Sequence, residues 1–407
     1  MAYRICDIDL SEPPPAIQLA PGQDGLALVA RWRGDLVGFV MAPSTPGATW
    51  SERDVHALAQ AQFARSLVYR QAATALAARR PPSDLAPPSL TIAICTKDRA
   101  VRLARLLTSL TAVCTRHGFA ALEILVVDNA SQDDATQRAV QGFEGVRYLR
   151  EPKPGLDFAR NAALGAAAGD LLAFLDDDVV VDRNWLDGLL AAWRRQPGAG
   201  GFTGLVLPFR LDTPAQVYFE SHGGFGRGFR PATFNAARWG DDLYPVGAGI
   251  LGAGCNMCFD RALLAALGGF DEALDTGAPL PGGGDLDIFY RVLRSGRAIL
   301  YEPQYAVYHE HRETLSQLNR QYWSWGLGFM AFLVKCGRAD PALRSRHRAM
   351  LRWWVFDKAA ALARALRRGR WREVRFTLAE VWGAIQGFFG EYDRSRERVA
   401  IIRAPNP

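Results

Sequence analysis

The chain contains no stretch approaching the ~18 uninterrupted apolar residues that a membrane span requires. Its first ten residues, MAYRICDIDL, hold no apolar signal-peptide core. On these two absences the expected address is the cytosol. Cysteine is sparse: six are spread over the whole length, and only Cys255 and Cys258 form a CxxC pair. No two further ligands stand at a spacing that would complete a zinc site, so these are expected to be reduced, packed thiols. No low-complexity tract interrupts a composition that is 49% hydrophobic, which indicates a folded globular protein. At 407 residues, two or three cores are expected rather than one. Most of the chain also lacks a net positive charge. Residues 335–407 hold 17 Lys+Arg against 7 Asp+Glu, a balance of +10, whereas the preceding 334 residues sum to −4. The basic character belongs to the tail, and a nucleic-acid-binding body is not implied.

What is present is organised around Leu171–Asp178, LLAFLDDD, an apolar run ending in three aspartates. Such a run fits a buried strand of a parallel sheet, and ligands of open α/β sheets bind beyond the strands' carboxyl ends. Along an extended backbone Asp176 and Asp178 project to one side and Asp177 to the other. Two hard oxygen ligands on one side could share magnesium or manganese, which proteins hold with one or two carboxylates while phosphate oxygens and water fill the rest. The implied ligand is a diphosphate. The alternative is a charged loop with Asp182 capping the helix RNWLDGLL.

Residues 1–42 read as a small β-rich module, with a hairpin in LALVARW, the turn Arg33-Gly34-Asp35 and LVGFVM. Ser51 and Asp54, spaced as in a capping box, open a helix to about Ala78. The Pro-rich stretch Pro81–Pro88 reads as a linker. From Leu90 strands alternate with helices: LTIAIC, a helix from Val101 to about Val113, EILVV, a helix near Asp134–Gln141, VRYL, a helix over Asp157–Ala168, and LLAFL. This alternation predicts a parallel sheet covered on both faces, a nucleotide-binding α/β unit. Two earlier strand ends carry polar groups, Thr96-Lys97-Asp98-Arg99 and Asp128-Asn129. Asp128 could accept hydrogen bonds from a nucleobase imide or a ribose, and Arg99 could supply charge or a stacking surface. Alternatively they are caps and turns, Asp98 among them.

Gly247, Gly249 and Gly252 satisfy GxGxxG, but Pro245 precedes them and strand-like CNMCF follows, which argues against a dinucleotide site. In GGGDLD, Gly282–Asp287, the glycines permit close backbone approach, and Asp285 and Asp287 fall at a helix N-terminus. One carboxylate there could act as a base; simple capping is the alternative. His309 and His311 follow the strand ILYEP and alternate onto one face, which is compatible with a metal ligand as well as with packed histidines.

Taken in order, TKDR at Thr96–Arg99, VVDN at Val126–Asn129, GLDFARN at Gly155–Asn161, FLDDD at Phe174–Asp178, GGFD at Gly268–Asp271 and GGGDLDIFYR at Gly282–Arg291 resemble the motif series of family 2 glycosyltransferases, over about Leu90–Gln321. The resemblance implies an inverting enzyme of GT-A fold, an α/β class with a mixed, Rossmann-like sheet flanked by helices. To this the sequence adds a small α+β N-terminal module (1–80), a linker (81–88) before the catalytic domain (89–334), and a basic helical C-terminal region (335–407). By the same resemblance Thr96, Arg99 and Asp128 match nucleotide-contacting strand ends, and Arg160 a diphosphate-proximal arginine. Asp176 and Asp178 match the DxD pair, with Asp177 between them also on the nucleotide sugar. His309 matches a late histidine completing a metal site, and Asp285 the base of the motif usually written EDxDLxxR. Two positions depart from the pattern: Gly284 replaces a glutamate, and the QxxRW motif of processive members survives only as Gln317-Leu318-Asn319-Arg320-Gln321. Single additions are therefore expected, with Trp323 and Trp325 candidates for a sugar-binding surface.

These residues imply Mn2+ or Mg2+ and a nucleoside-diphosphate sugar, a UDP-sugar first, with thymidine and guanosine donors fitting the same motifs. The acceptor is a glycan, a lipid-linked molecule or a small molecule, and no nucleic acid is involved. A sugar-nucleotide pyrophosphorylase would need a Gly-rich loop with Arg and Lys early in the sheet, which TIAICTKDR does not provide. A catalytically silent sugar-nucleotide-binding scaffold draws support from Gly284, while Asp285 argues against it. The tail, with RAMLRWWVFDKAAALARALRRGRW, fits either peripheral contact with an anionic membrane surface at the inner face or a bundle packed on the catalytic domain with a solvated basic face.

Overall fold

The computed structural model describes residues 2–77, 85–235, 243–277 and 279–404. The first residues form β1 (Tyr3–Asp9), β2 (Ile17–Gln18), β3 (Gly25–Trp32), β4 (Asp35–Pro43) and β5 (Thr49–Trp50). β1 lies parallel to β3, and β3 and β4 form the expected hairpin. Its two turn residues, Arg33 and Gly34, both have positive φ, the geometry whose twist matches that of paired strands. The Asp9 carboxylate secures this turn, accepting from the backbone N–H groups of Ser11, Arg33 and Gly34. α1 (Glu52–Ala77) starts at the predicted capping box, where Ser51 and Asp54 exchange side-chain-to-backbone bonds. Residues 81–84, half of the Pro81–Pro88 linker, lie outside the described residues.

From β6 (Leu90–Thr96) the chain runs through α2 (Ala100–Cys114), β7 (Leu122–Asn129), α3 (Ala135–Gln141), β8 (Val146–Glu151), α4 (Leu156–Ala166) and β9 (Leu171–Asp176). These strands pair in parallel in the order β9-β6-β7-β8, as the strand–helix alternation predicts. The second half continues with β10 (Val179–Val181), α5 (Trp185–Arg195), β11 (Gly201–Pro208), α6 (Pro214–Ser221), β12 (Ala232–Phe234), β13 (Asn256–Asp260), α7 (Arg261–Ala266), α8 (Gly284–Arg294) and β14 (Ile299–His309). Here the sheet becomes mixed. β13 enters antiparallel between β9 and β11, and β14 pairs parallel to β11 and antiparallel to β10. Among the described residues the sheet follows the order β10-β14-β11-β13-β9-β6-β7-β8, with β12 on β14. One apolar cluster fills each face: Leu103, Leu107 and Trp185 pack on one side, Phe174, Phe259 and Phe289 on the other. The result is an α/β domain, a mixed sheet between helical layers, as the sequence resemblance implies.

The chain ends in α9 (Leu315–Ala339), α10 (Arg344–Arg367), α11 (Trp371–Gln386) and α12 (Tyr392–Arg403). α9 and α11 cross at glycines: a Cβ on Gly326 would stand 1.9 Å from the Glu380 carbonyl oxygen, and one on Gly383 2.0 Å from that of Trp323. Backbone meets backbone there, and α10 adds Met350 and Trp354 to the core beneath the sheet. The tail therefore packs on the sheet domain. Among the described residues no helix is long and apolar enough to cross a membrane.

The N-terminal module is joined to the sheet by a buried ion pair. Arg31 on β3 donates to Asp182 and to Asp7, and the Tyr308 hydroxyl shares the Asp182 carboxylate. Asp182 thus braces the segment after the aspartate triplet; the residue at the N-cap of α5 is Asn184.

Candidate functional site

The carboxyl ends of β6, β7 and β9, the first turns of α4 and α8 and the end of β14 surround one cavity of about 1310 Å³. Parallel strands deliver their ends to one rim, the place where open α/β sheets bind ligands. Asp176, Asp177 and Asp178 all line it. β9 ends at Asp176, and Asp177 and Asp178 form the turn that follows it. Asp177 is turned to β6, accepting from the Thr96 hydroxyl at 2.7 Å and from Arg99 at 2.9 Å. This fixes Thr96, at the end of β6, and Arg99, just before α2, at the rim.

Asp178 shares Arg99 with Asp177 and also meets the end of β14. Its Oδ2 lies 3.7 Å from Arg99 and 3.8 Å from Arg312, and its Oδ1 stands 3.4 Å from Nε2 of His309. That Oδ1 is buried without a hydrogen-bond partner, a costly state for a carboxylate oxygen. Burial, and the adjacent Asp178 after it, push Asp176 up to about 7. Burial opposes ionisation of Asp178 as well, but His309, Arg312 and Arg99 hold it below the ordinary carboxylate value. The arginines keep their charge at neutral pH, whereas burial drives His309 down to about 4 and leaves it neutral.

The ring of His309 is oriented by His311, its expected neighbour on the same face, and through it by Glu220, which the sequence did not single out. His309 Nδ1 lies 3.2 Å from His311 Nδ1, and His311 Nε2 lies 2.9 Å from Glu220 Oε2. A carboxylate can only accept, so His311 donates its Nε2–H to Glu220 and offers Nδ1 as a lone pair. His309 then donates Nδ1–H, and its Nε2 lone pair points at Asp178. Two acceptor atoms left facing each other in a buried corner fit a cation between them. Glu220 is held on α6, which opens with the capping box of Thr213 and Gln216, and Gln216 also donates to the His311 carbonyl at 3.3 Å. That capping box is visible in the sequence; its register against β14 is tertiary.

Among the described residues no three His, Cys, Asp or Glu side chains close around one point. The expected set of Asp176, Asp178 and His309 is thus present as an Asp178–His309 pair with Asp176 alongside. An ion held by two protein groups would take its other positions from diphosphate oxygens and water, the usual habit of magnesium.

Arg160 reaches the cavity from α4, buried, with its Nη1 2.9 Å from Asp157 and 3.2 Å from Asp275 and its guanidinium over the Phe270 ring. Burial raises both carboxyls above their ordinary value despite the arginine. This arrangement accounts for Gly284. A Cβ there would stand 2.3 Å from Asp157 Oδ2 and 2.6 Å from Asp275 Oδ2, so the two aspartates occupy the space a larger side chain would need.

Asp285 lines the cavity at the first turn of α8, its Oδ2 accepting the Gly254 N–H at 3.1 Å. Asp287 does not. It is fully buried on the far side of the helix, bound by Arg291 and Lys335. Asp128 also stays behind the wall: Oδ2 takes the Tyr148 hydroxyl at 2.6 Å, Oδ1 is buried and unpartnered, and Asn129 lines the cavity instead. Gly247, Gly249 and Gly252 form part of the wall and lead into strand β13, so the GxGxxG spacing carries no dinucleotide turn. Trp325 lines the cavity, while Trp323 donates to Gln386 between the helices. Asp98 accepts from the Gln132 backbone and caps no helix. Cys255 and Cys258 are free and buried.

Comparison with known proteins gives the following. Residues 91–228 match the family described as "Glycosyl transferase family 2". The chain is 29% identical over 238 residues to the "Pre-mycofactocin glycosyltransferase" of Mycobacterium tuberculosis, a match covering 58% of this chain and 46% of that protein; it spans about half of that relative's length. It is 28% identical over 243 residues to the "Succinoglycan biosynthesis protein ExoM" of Rhizobium meliloti, covering 58% and 72%. Among solved structures, the mannosyltransferase PcManGT from Pyrobaculum calidifontis, in complex with GDP-Man and Mn2+, aligns with a TM-score of 0.48 at 17% identity, over 82% of this chain and 97% of that one.

Proposed function

We propose that this protein, whose residues 91–228 match the family described as "Glycosyl transferase family 2", is an inverting, non-processive glycosyltransferase that moves a sugar from a nucleoside-diphosphate donor to an acceptor hydroxyl with a divalent cation. The observation that carries the reading is the unpartnered Asp178 Oδ1 facing the His309 Nε2 lone pair, in the same cavity as the Asp285 carboxylate. The sequence resemblance supports it.

In this reading Thr96 and Arg99 take the nucleoside together with Asn129 at the end of β7, which lines the cavity where Asp128 lies buried behind it. A UDP-sugar is the first donor to test. Arg160 faces the diphosphate, with Asp157 and Asp275 fixing its orientation. Asp178 and His309, with Asp176 beside them, hold Mn2+ or Mg2+, which when bound neutralises charge on the departing diphosphate. Asp285, steadied by the Gly254 N–H, removes the acceptor proton while that oxygen attacks the anomeric carbon from the face opposite the diphosphate. One displacement inverts the centre, and no covalent intermediate is needed. Residues 89–334 form the catalytic domain in this scheme, with 1–80 bracing it and 335–407 on the acceptor side. A glycan, a small molecule or a lipid-linked molecule supplies the hydroxyl, and the basic helices make peripheral contact at the inner face of the membrane.

The second reading, a silent sugar-nucleotide-binding scaffold, is favoured by Gly284. Asp285→Asn separates the two: an enzyme loses about 10²–10⁴-fold in turnover while keeping its nucleotide affinity. A wild-type protein that binds donor yet transfers nothing to any hydroxyl or to water would support the scaffold.

A further inference from the structure

The outer faces of α10 and α11 are apolar and uncovered. On α11, Trp371, Arg375, Leu378, Trp382 and Ile385 recur at helical spacing, which places them on one face. Trp371 is 71% and Trp382 58% exposed. On α10, Arg352, Phe356, Ala359, Ala363 and Arg367 do the same, with Phe356 73% exposed and Trp353 beside it half exposed. Patches of this kind on a folded protein mark an interaction surface.

Charge selects the partner. Residues 344–386 carry 11 Lys+Arg against 3 Asp+Glu. The acids are already engaged, Asp357 and Glu380 by Lys358 and Glu373 by Arg370, whereas Arg352, Arg367 and Arg375 form no ion pair with any described residue. A second copy of this face would set like charge against like charge. An anionic lipid surface satisfies both features, taking the aromatic rings at the headgroup boundary and the arginines on its phosphates. Position matters too: Trp353, Trp354 and Lys358 of α10 and Glu380 of α11 line the same cavity as Asp178 and Asp285. The exposed face therefore borders the cavity mouth.

We infer that the α10–α11 face docks on an anionic membrane surface and thereby sets the mouth of the cavity at the lipid boundary, where a membrane-held acceptor can present its hydroxyl to Asp285. The docking stands on the surface alone; the presentation of acceptor rests on the glycosyltransferase reading.

The test is co-sedimentation of the full chain with phosphatidylglycerol-containing vesicles and with pure phosphatidylcholine vesicles. Wild type binds the anionic vesicles, less so as salt is raised from about 0.1 to about 0.5 M, and hardly binds the neutral ones. Phe356→Ala, Trp371→Ala and Trp382→Ala combined lower partitioning by about tenfold or more, as do Arg352→Gln, Arg367→Gln and Arg375→Gln combined. Metal-dependent UDP binding stays at the wild-type level in both, so a failed docking is distinguishable from a failed nucleotide site. Should a combined variant not fold, brominated acyl chains test wild type directly, since rings at the boundary have their emission quenched. No binding to anionic vesicles overturns the inference. So does unaltered binding by the aromatic variant, or a wild-type dimer that this variant dissociates.

Discussion

Replacing His311 with phenylalanine isolates the orientation of His309 from its presence. His311 sits edge-on to Phe219 at 4.8 Å and near Phe225, so a phenyl ring keeps the packing but removes the acceptor for the His309 Nδ1–H. Neutral His309 is then free to move its proton to Nε2 and donate to Asp178 Oδ1, now 3.4 Å away, which removes the lone pair that would face a metal. Loss of an outer hydrogen-bond partner of a metal-bound histidine lowers metal affinity about 10–100-fold, or about 1.4–2.7 kcal/mol. The expectation is therefore a Mn2+ affinity, measured calorimetrically or from the free Mn2+ resonance signal with UDP at saturation, weaker by that factor in His311→Phe. His309→Ala should be at least as weak, and Glu220→Ala should fall between wild type and His311→Phe. A His311→Phe affinity within twofold of wild type, alongside a large loss in His309→Ala, would refute the orientation argument while leaving the ligand assignment intact.

Other expectations follow from the same packing. Arg31→Met strips Asp182 of its buried partner, which should cost about 3–5 kcal/mol in denaturant unfolding and weaken metal-dependent nucleotide binding; loss of stability without any effect on binding would detach the N-terminal module from the site. Gly284→Glu, which restores the residue common in relatives, should destabilise by about 1–3 kcal/mol rather than rescue activity, because Asp157 and Asp275 fill the space; higher turnover in that variant would contradict the steric account. Asp9 is held down to about 2 by bonds to Ser11, Gly34 and Arg33, which outweigh the opposing effect of burial. Its folded-state pKa lies below the unfolded value, so its contribution is present above about pH 4 and lost as pH falls toward 2, on the order of 1–2 kcal/mol after allowance for its partial exposure. The stability difference between wild type and Asp9→Ala should be clearly smaller at pH 2.5 than at pH 6, the two converging only below about pH 2.

The strand ends were legible because a continuous apolar run stopping at acids has few other meanings in an α/β chain. Thr96, Arg99, Asp176, Asp177 and Asp178 all reach the cavity for that reason, whereas Arg160 reaches it from α4. The antiparallel insertion of β13 was not legible as sheet order: CNMCF reads as a strand, but its neighbours β9 and β11 are chosen by pairing across the sheet. Asp285 and Asp287 could have been separated from helix geometry alone, since two residues turn a helix by about 200° and only one of them can face a ligand. Asp128 shows the opposite limit, since a correct strand end does not reveal whether its carboxylate is at the wall or one layer behind. Glu220 had no local signal, because a glutamate in a short amphipathic helix looks like any solvated residue until α6 meets the end of β14. The tail presented two readings as alternatives, yet the glycines at 326 and 383 pack the inner face while the arginines and aromatics stay outside, so packing on the sheet domain does not exclude the membrane contact proposed above.

The measurement that bears most directly on the central claim is calorimetric titration with UDP, GDP and dTDP, each with Mn2+ and with chelator, on wild type and on Asp178→Ala. The account predicts that one nucleotide binds tightly with Mn2+, that chelator weakens it by an order of magnitude or more, as loss of the ion's bonds to the diphosphate requires, and that Asp178→Ala abolishes the metal-dependent part. Binding that is indifferent to both chelator and Asp178→Ala, or no binding of any of the three, would contradict it.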